Sequence, residues 1–277
     1  FWPGGDRDGN RFVTPEITLK VATRLRETII KNYHRDIREL RRKLTFSGVE
    51  QRIIKLETEL YNSITHQESS LTLDSFTQEL KEIKQLIIDQ HQSLYVSQIN
   101  SLLNKVHLFG FHFANLDIRQ DSRVHHTVLM DVHQTLLQQN GKGILPKNYN
   151  ELTIDDQIGI LAKLEGQLNP ADFKETMTKD TLESIYAITT VQKMNGIPGC
   201  HRYIISNCQS AMNVMELYAL CRLCGWDPHL SNLDIVPLFE TIEDLTNAEQ
   251  IMSILYNNPL YKIHLQHRQA QQPIMLG

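Results

Sequence analysis

The feature that most constrains the fold is a change of hydrophobic pattern near residue 110. Before that position, apolar residues recur at helical spacing through successive segments, with hardly a β-favouring run between them. The first segment begins at Thr14-Pro15-Glu16, a capping residue followed by proline and an acid, and keeps helical spacing for about 30 residues. The next follows Gly48, and two more cover 74–90 and 93–109. We therefore predict that residues 14–110 are mainly helical.

Beyond residue 110, short β-favouring runs alternate with helical patterns. Strands separated by helices favour parallel pairing through right-handed crossover connections. The predicted class is therefore a helix-rich α/β fold. We predict strands at Phe111–Arg119, Tyr203–Ser206, Leu233–Phe239 and Ile274–Leu276, with a fifth that ends near Trp2. We predict helices at 121–139, 154–168, 172–195, 210–224, 242–256 and 257–268.

The composition is that of a soluble globular protein. The 277 residues are 41% hydrophobic and 22% charged, and a chain of this length can bury a sizeable core. No apolar run approaches the roughly 18 residues that a membrane helix needs, so we expect no membrane partner. Four cysteines do not make a disulfide framework in such a chain, so we expect a cytoplasmic location.

Positive charge is concentrated near the start of the chain. Residues 1–55 carry 13 Lys and Arg against 7 Asp and Glu, although the whole chain has a net charge of −4. The densest part, Arg35–Lys43, has the charge of a nucleic-acid patch. However, Asp36 and Glu39 interrupt it and no aromatic residues stand ready to stack on bases. We therefore interpret it as a solvated helix face and expect no nucleic acid as a partner.

The loop Gly4–Asn10 is the first candidate for chemistry. Its glycines permit tight turns and close backbone approach, so the loop can hold charged groups against a ligand. The acids Asp6 and Asp8 begin a D-x-D-x-N spacing that is typical of calcium loops. That hypothesis fails, because Arg11 stands where the required glycine belongs and Ile17 where the bidentate glutamate belongs. A turn stabilised by its own Asp and Asn side chains is the alternative interpretation.

The second candidate is Arg119, at the end of the predicted strand Phe111–Arg119. Alternation along the strand puts Asp117 and Arg119 on one face, which becomes polar towards its carboxyl end. In α/β barrels, active sites lie at the carboxyl ends of strands. The guanidinium of Arg119 offers a planar fork that matches phosphate or carboxylate. The alternative is a structural ion pair between Arg119 and Asp117 that only holds the strand end.

The third candidate is Glu240, which follows the predicted strand Leu233–Phe239. Alternation puts Val236, Leu238 and Glu240 on one face, so an apolar side chain lies directly below a carboxylate. Carboxylate oxygens are natural ligands of hard divalent cations. The sequence therefore indicates a candidate metal ligand at this strand end.

Two neighbours of Glu240 complicate that interpretation. Pro237 removes a ladder hydrogen bond from a central strand, so we expect a bulge there. Thr241 and Asp244 have the spacing of a helix capping box, and a glutamate beside such a box is often part of the cap. A helix cap therefore remains open as the role of Glu240.

Other chemically capable residues have simpler interpretations. Cys221 and Cys224 have redox or metal spacing, but they lie on a helical pattern without a matching pair. We interpret them as buried neutral thiols. Four histidines are expected on helix surfaces: His125, His126, His264 and His267. No Walker loop, G-x-S-x-G or G-x-G-x-x-G motif occurs in the sequence.

Together, these segments resemble the phosphoenolpyruvate carboxylase family. The matches occur in the family's order along the whole chain and are weakest in the helices at 40–100. Arg11 is a departure, since the family usually has proline there, and it affects only the exit from the first loop. The matching segments are Trp2–Asn10, Leu116–Ser122, Tyr203–Ser206, Val236–Thr241 and Ile274–Gly277.

The resemblance implies a carbon–carbon lyase that uses Mg²⁺ or Mn²⁺. Members of the family carboxylate phosphoenolpyruvate with bicarbonate and release oxaloacetate and phosphate, which fixes carbon dioxide and feeds the tricarboxylic acid cycle. The accepted route is phosphate transfer to bicarbonate, followed by attack of an enolate on carbon dioxide. The implied fold is a partial TIM-type barrel, and the implied assembly of the intact parent is a homotetramer in the cytoplasm.

The resemblance also implies roles for residues of this chain. Glu240 would be one of two acidic metal ligands, and Arg119 would hold the substrate phosphate. Leu238 and Met275 would wall an apolar pocket around the methylene carbon, with Trp2 near the substrate. The rim of the site would be shaped by Asp6, Arg7 and Asp8.

Other parts of the family's active site are not among these 277 residues. The motif Thr-Ala-His-Pro-Thr-Glu, which bears the catalytic histidine, does not occur in the sequence. In the family, the second metal acid and a nearby lysine follow the Met-x-Gly stretch that Met275 begins. We therefore expect this segment alone to bind substrate poorly and to show no measurable turnover.

The resemblance gives an expected domain organisation for residues 1–277 as part of a catalytic barrel domain. Residues 1–13 would form an active-site loop, 14–110 a helical insertion, and 111–277 the strands and helices of the barrel. Two alternatives remain open. A non-catalytic helical interaction protein derived from this fold is favoured by the long helices, and another phosphoenolpyruvate-using barrel enzyme is disfavoured because such enzymes lack the Gly4–Asn10 loop.

Overall fold

A computed structural model describes residues 1–10, 12–65, 70–229 and 232–277. Arg11, the departure from the family pattern, therefore lies outside the described residues. The helices are α1 Pro15–Arg41, α2 Glu50–Ile64, α3 Leu73–Gln90, α4 Val96–Phe109, α5 Ser122–Asn140, α6 Ile154–Leu161, α7 Thr176–Asn195, α8 Ala211–Leu223, α9 Ile242–Asn257 and α10 Pro259–His267. The strands are β1 Asp117–Asp121, β2 Arg202–Ser206, β3 Asp234–Phe239 and β4 Met275–Leu276. Short 3₁₀ turns lie at Tyr149–Glu151, Pro170–Asp172 and Ile197–Gly199.

The chain forms two compact units. The helical unit comprises Lys20–Asn115 and Met194–Gly199, and the sheet unit comprises Phe1–Leu19, Leu116–Lys193 and Cys200–Gly277. The assignment of residues 14–110 to an insertion in a catalytic barrel stays a prediction. Over the described ranges, every helix is too short or too polar to be a candidate membrane span.

The helical unit is built around the apolar stripes that the sequence predicts. The stripes of α1 to α4 converge on one core, in which Tyr33, Phe76 and Phe111 form a cluster of tilted rings with centroids 5.6–6.4 Å apart. The buried hydroxyl of Tyr33 donates to the carbonyl oxygen of Gly110 at 2.8 Å. The basic stretch on α1 forms exposed ion pairs, with Arg38 and Arg41 both at Glu57, as expected of a solvated face.

The predicted strand Phe111–Arg119 begins too early. Residues 110–114 form turns, and β1 starts only at Asp117. Gly110 ends α4 with φ of 47°, and a side chain there would collide with the ring of His112. Phe111 then packs into the helical core and Phe113 adopts φ of 65°. Phe111 and Phe113 are therefore apolar because they complete the helical core.

The sheet unit confirms the helix-rich α/β class. Over the described residues, its four strands are parallel, in the spatial order β1-β2-β3-β4, and helices connect each strand to the next. The pairing aligns Arg119 with Ile204 and Ile204 with Val236, so these side chains share a face. Sequence neighbours point the other way, where the hydroxyl of Tyr203 lies 3.1 Å from Nε2 of His125 on α5.

The predicted fifth strand is replaced by a single bridge. Asp6 pairs in parallel with Arg119, through hydrogen bonds from Arg7 N–H to the Arg119 carbonyl (2.8 Å) and from Arg119 N–H to the Gly5 carbonyl (3.0 Å). The first loop thus runs beside β1. A Cβ at Gly5 would overlap the carbonyl oxygen of Asp117, so this close approach requires glycine.

Pro237 does not form the expected bulge. The register between β2 and β3 is one-to-one through the pair Ile205–Pro237, and pairing with β4 begins at Leu238–Met275. The proline therefore lies where β3 changes partner. Because it is at the end of the pairing with β2 and before the pairing with β4, its missing N–H does not break the middle of either set of hydrogen bonds.

Helix α6 is shorter than the predicted helix 154–168. It ends at Leu161, and the following chain binds the end of α8 instead. Gly166 N–H donates to the carbonyl of Arg222, and Leu168 N–H donates to that of Leu223. These tertiary hydrogen bonds compete with continuation of the helix.

Candidate active site at the carboxyl edge of the sheet

Arg119 is the centre of a charged cluster at the carboxyl edge of the sheet. Its Nη2 lies 2.9 Å from Oδ2 of Asp8 and 3.4 Å from Oε1 of Glu240. Its Nη1 lies 3.7 Å from Oδ2 of Asp6. The structure therefore brings together the first loop, the end of β1 and the end of β3. We call Trp2, Asp6, Asp8, Arg119 and Glu240 the edge site.

The guanidinium of Arg119 is held from several directions. Only 16% of its side chain is exposed, and its Cζ lies 5.4 Å from the centroid of the Trp2 ring, within the range of a cation–π contact. Its Nε is buried and has no hydrogen-bond partner within the part of the chain that the structure describes. The expected alternative pair with Asp117 is not formed, because the partners of Arg119 are Asp6, Asp8 and Glu240.

The first loop supports both interpretations that the sequence left open. Its own side chains stabilise it, since Asp8 N–H donates to Oδ1 of Asp6 and Phe12 N–H donates to Oδ1 of Asn10. The same loop also places two carboxylates beside Arg119. Arg7 points elsewhere, with Nη1 donating to the carbonyl of Asp180 on α7 at 2.8 Å.

Glu240 is separate from the cap of the next helix. Thr241 and Asp244 form the capping box of α9 reciprocally, as their spacing predicts. A backbone hydrogen bond from Thr241 helps to hold the pKa of Asp244 below its usual range. The Glu240 side chain is 38% exposed and contacts Arg119 through Oε1, while Oε2 accepts from Asn207 N–H at 3.2 Å. The carboxylate of Glu240 is therefore directed to the edge site.

An apolar surface lies on the same face of the sheet as Arg119. Ile204, Val236 and Leu238 form a buried cluster, and Met275 packs against it from β4. The pairing of Leu238 with Met275 in register explains why these two side chains meet. The arrangement puts an apolar floor below the strand-end carboxylate of Glu240, as the alternation in the sequence predicts.

The edge site has an excess of negative charge. Three carboxylates surround one guanidinium, and this balance favours an additional cation. Carboxylate oxygens are also the ligands that Mg²⁺ and Mn²⁺ prefer, so the donor set suits such an ion. Among the residues that the structure describes, no group of three or more His, Cys, Asp or Glu is arranged to hold a metal by itself. A cation here would therefore need further ligands besides these side chains.

The structure also reveals residues that the sequence patterns did not single out. Asn207, directly after β2, adopts φ of 52°, and its carbonyl oxygen accepts from the hydroxyl of Ser122 at 2.7 Å. Asp121 caps α5; burial raises its pKa, but hydrogen bonds from Arg123 and Asn207 outweigh that and leave the pKa below its usual range. An asparagine just past a strand tolerates left-handed backbone, which is the only local signal that could have found Asn207.

The expectations for histidines and cysteines have mixed outcomes. His126 and His267 are exposed, as predicted. The prediction for His125 and His264 is wrong, because both are buried. Burial lowers the pKa of His125 to about 3 and that of His264 to about 4. The cysteines are confirmed as buried free thiols, and desolvation raises the pKa of Cys224 to about 12.

The parallel sheet and the edge site define an α/β protein that gathers charged side chains at the carboxyl ends of its strands. Its sequence matches the family model for phosphoenolpyruvate carboxylase over residues 1–73 and 55–277. The chain belongs to the phosphoenolpyruvate carboxylase family.

Individual relatives agree with this family. The chain is 28% identical over 348 residues to the phosphoenolpyruvate carboxylase of Prochlorococcus marinus (strain MIT 9312). The corresponding values are 28% over 334 residues for Gloeobacter violaceus and 27% over 327 residues for Nitrosomonas eutropha. Each alignment covers 100% of this chain but only 34–35% of the relative, so the chain spans about a third of the length of these curated relatives.

Proposed function

We propose that the edge site is part of the active site of a phosphoenolpyruvate carboxylase. The reaction is carboxylation of phosphoenolpyruvate by bicarbonate, which yields oxaloacetate and phosphate. The family match supports this proposal. So does the meeting of Asp8 and Glu240 at Arg119, whose Nη2 lies 2.9 Å from Asp8 Oδ2 and 3.4 Å from Glu240 Oε1. That meeting is the observation on which the proposal depends, because these residues are more than 100 positions apart in sequence.

Arg119 is proposed to bind the phosphate of the substrate. Its guanidinium is always charged and presents donors in a fork that matches phosphate oxygens. The contact with Trp2 and the short contact with Asp8 fix its orientation. The long contact from Nη1 to Asp6, at 3.7 Å, leaves donor capacity for an anion.

Glu240 is proposed as one acidic ligand of Mg²⁺ or Mn²⁺. Its half-exposed carboxylate at a strand end and the surplus of negative charge around it both support this role. When bound, the cation would stabilise negative charge that develops on the substrate oxygen. A second acidic ligand and a lysine are expected from the stretch that follows Met-x-Gly in the family.

The remaining predicted site residues are proposed to shape the pocket. Leu238 and Met275 would face the methylene carbon of the substrate and exclude water from it. Trp2 would border the substrate beside Arg119, and Asp6 and Arg7 would belong to the rim. Arg7 would act there through its bond to the backbone of α7 rather than through contact with Arg119.

At the level of the whole protein, we propose a TIM-type barrel in a cytoplasmic homotetramer. The four parallel strands in sequential order and the first loop, which pairs along the outer edge of β1, support a barrel. The metabolic role would be carbon dioxide fixation that supplies oxaloacetate to the tricarboxylic acid cycle.

The experiment is an assay of oxaloacetate formation by the full-length protein that contains these residues, with phosphoenolpyruvate, bicarbonate and Mg²⁺. Replacing Arg119 with Lys keeps the charge but removes the fork, so we expect KM for phosphoenolpyruvate to rise about tenfold or more. Arg123→Lys is the matched control, because that side chain is 80% exposed and pairs with Asp121. Absence of oxaloacetate with the unmodified protein would contradict the function, and equal KM values for the two variants would contradict the role of Arg119.

A further inference from the structure

Asn207 has an unusual backbone conformation at the carboxyl edge of the sheet. It follows the last residue of β2 and adopts φ of 52°, in the left-handed region that few residues other than glycine occupy. Asparagine is among the few side chains that tolerate this region. A conformation of this kind persists when the surrounding contacts determine it, and such residues cluster at functional sites.

Contacts on both sides hold the backbone of Asn207. Its carbonyl oxygen accepts from the hydroxyl of Ser122 at 2.7 Å, and Ser122 is 2% exposed at the start of α5. Its N–H donates to Oε2 of Glu240 at 3.2 Å, at the end of β3. The last pair between β1 and β2 is Asp121–Ser206, so Ser122 and Asn207 each stand one residue beyond it. Asn207 therefore connects the ends of β1 and β3 across β2.

As a result, the two carboxylate oxygens of Glu240 have different partners. Oε2 is bound to the backbone of Asn207, while Oε1 faces the guanidinium of Arg119 at 3.4 Å. Without the N–H, only the longer contact to Arg119 would restrain the side-chain torsions of the exposed glutamate. Fixing one oxygen leaves the other directed to the edge site.

We propose that Asn207 is a positioning residue that orients Glu240 for cation binding, with Ser122 holding Asn207 in place. This inference rests on the proposed role of Glu240 as a metal ligand. Groups that hydrogen-bond to a metal ligand orient it, and their loss typically weakens metal affinity by roughly 10- to 100-fold. The side chain of Asn207 also hydrogen-bonds Asp121, but the contact with Glu240 comes from the backbone. The conformation at position 207 therefore matters more for Glu240 than the asparagine side chain does.

The test measures binding of Mn²⁺ to the full-length protein, by electron paramagnetic resonance, in the absence of substrate. Asn207→Gly keeps the N–H and adopts positive φ without steric cost, so we expect Mn²⁺ affinity within about twofold of the unmodified protein. Asn207→Val disfavours positive φ and is expected to weaken affinity about tenfold. Ser122→Ala removes the donor to the Asn207 carbonyl and is expected to weaken affinity in the same direction. Rescue by glycine distinguishes positioning by the backbone from a contact made by the asparagine side chain.

Glu240→Gln separates failure of this inference from failure of the proposed function. If Glu240→Gln loses Mn²⁺ binding while Asn207→Val and Ser122→Ala keep normal affinity, the positioning role is wrong and the metal role of Glu240 stands. If Glu240→Gln binds Mn²⁺ normally, the metal role itself is wrong. If Asn207→Val does not fold, Ser122→Ala decides alone, and unchanged affinity in that variant overturns the inference.

Discussion

At the scale of single residues, Arg119 organises the edge site through unequal contacts. Asp8 gives a short charge-assisted bond at 2.9 Å, whereas Glu240 and Asp6 lie at 3.4 and 3.7 Å. Asp8 therefore fixes the guanidinium, and the looser contacts leave Glu240 able to serve another cation. The site is a small cluster in which one arginine does not neutralise its three acidic neighbours.

A second residue-scale consequence concerns His264, which is buried between aromatic rings. Its ring centroid lies 5.5 Å from that of Tyr261 and 6.1 Å from that of Tyr218. Burial lowers its pKa from 6.5 to about 4. Below about pH 6.5, His264 is protonated in the unfolded chain but stays neutral in the folded chain. The folded state therefore loses stability as the pH falls from 6.5 towards 4.

Replacing His264 with Phe should remove this pH dependence while keeping a ring in the core. The free energy of unfolding should then fall by about 2 kcal/mol less between pH 7 and pH 5 than in the unmodified protein. Denaturant unfolding at the two pH values measures the difference. An identical loss of stability in both proteins would show that His264 is not the responsible group.

At the scale of elements, the junction of β3 with α9 combines a cap with a site residue. Asp244 accepts from the N–H of Thr241 at 2.9 Å and from that of Glu240 at 3.2 Å, while Thr241 accepts from Asp244 N–H at 3.1 Å. The capping box therefore fixes the backbone of Glu240 through the bond from its N–H. Because the cap uses other side chains, the carboxylate of Glu240 remains available to the edge site.

Thr241→Ala tests the contribution of this cap. Loss of an N-cap side chain should lower the free energy of unfolding by about 1 kcal/mol. Thr246→Ala is the matched control on the exposed face of α9, where its hydroxyl donates to the Ile242 carbonyl, and a change within about 0.5 kcal/mol is expected. Equal effects of the two substitutions in chemical denaturation would show that the cap contributes nothing special.

Element ends show where sequence patterns lose their predictive value. Helical spacing predicts α1 to α4 because their apolar stripes repeat over many turns. The end of α6 and the start of β1 were misplaced, since tertiary contacts decide them. Gly166 and Leu168 bind the end of α8, and Phe111 fills the helical core. The prediction of a bulge at Pro237 is wrong for a related reason, because a change of strand partner leaves no signal in a local pattern.

At the scale of the molecule, the meeting of the charged residues at the edge site was largely predictable. The residues that pack behind the sheet and hold the edge site in place were not. Strand alternation and the rule that sites lie at carboxyl ends are enough to bring Arg119 and Glu240 together. The burial of His125 was not predictable from one helix, because its exposure depends on which element packs against α5. Asn207 was not predictable because it contacts Glu240 through its backbone N–H, and residue type gives little information about backbone contacts.

The role proposed for Glu240 is in the metal-dependent carboxylation of phosphoenolpyruvate. The most direct measurement compares oxaloacetate formation by the full-length protein and its Glu240→Gln variant at saturating Mg²⁺. Glu243→Gln is the matched control, since Glu243 is an exposed residue in the first turn of α9. We predict a fall in kcat/KM of about 100-fold or more for Glu240→Gln and no change for Glu243→Gln. Full activity of Glu240→Gln would contradict it.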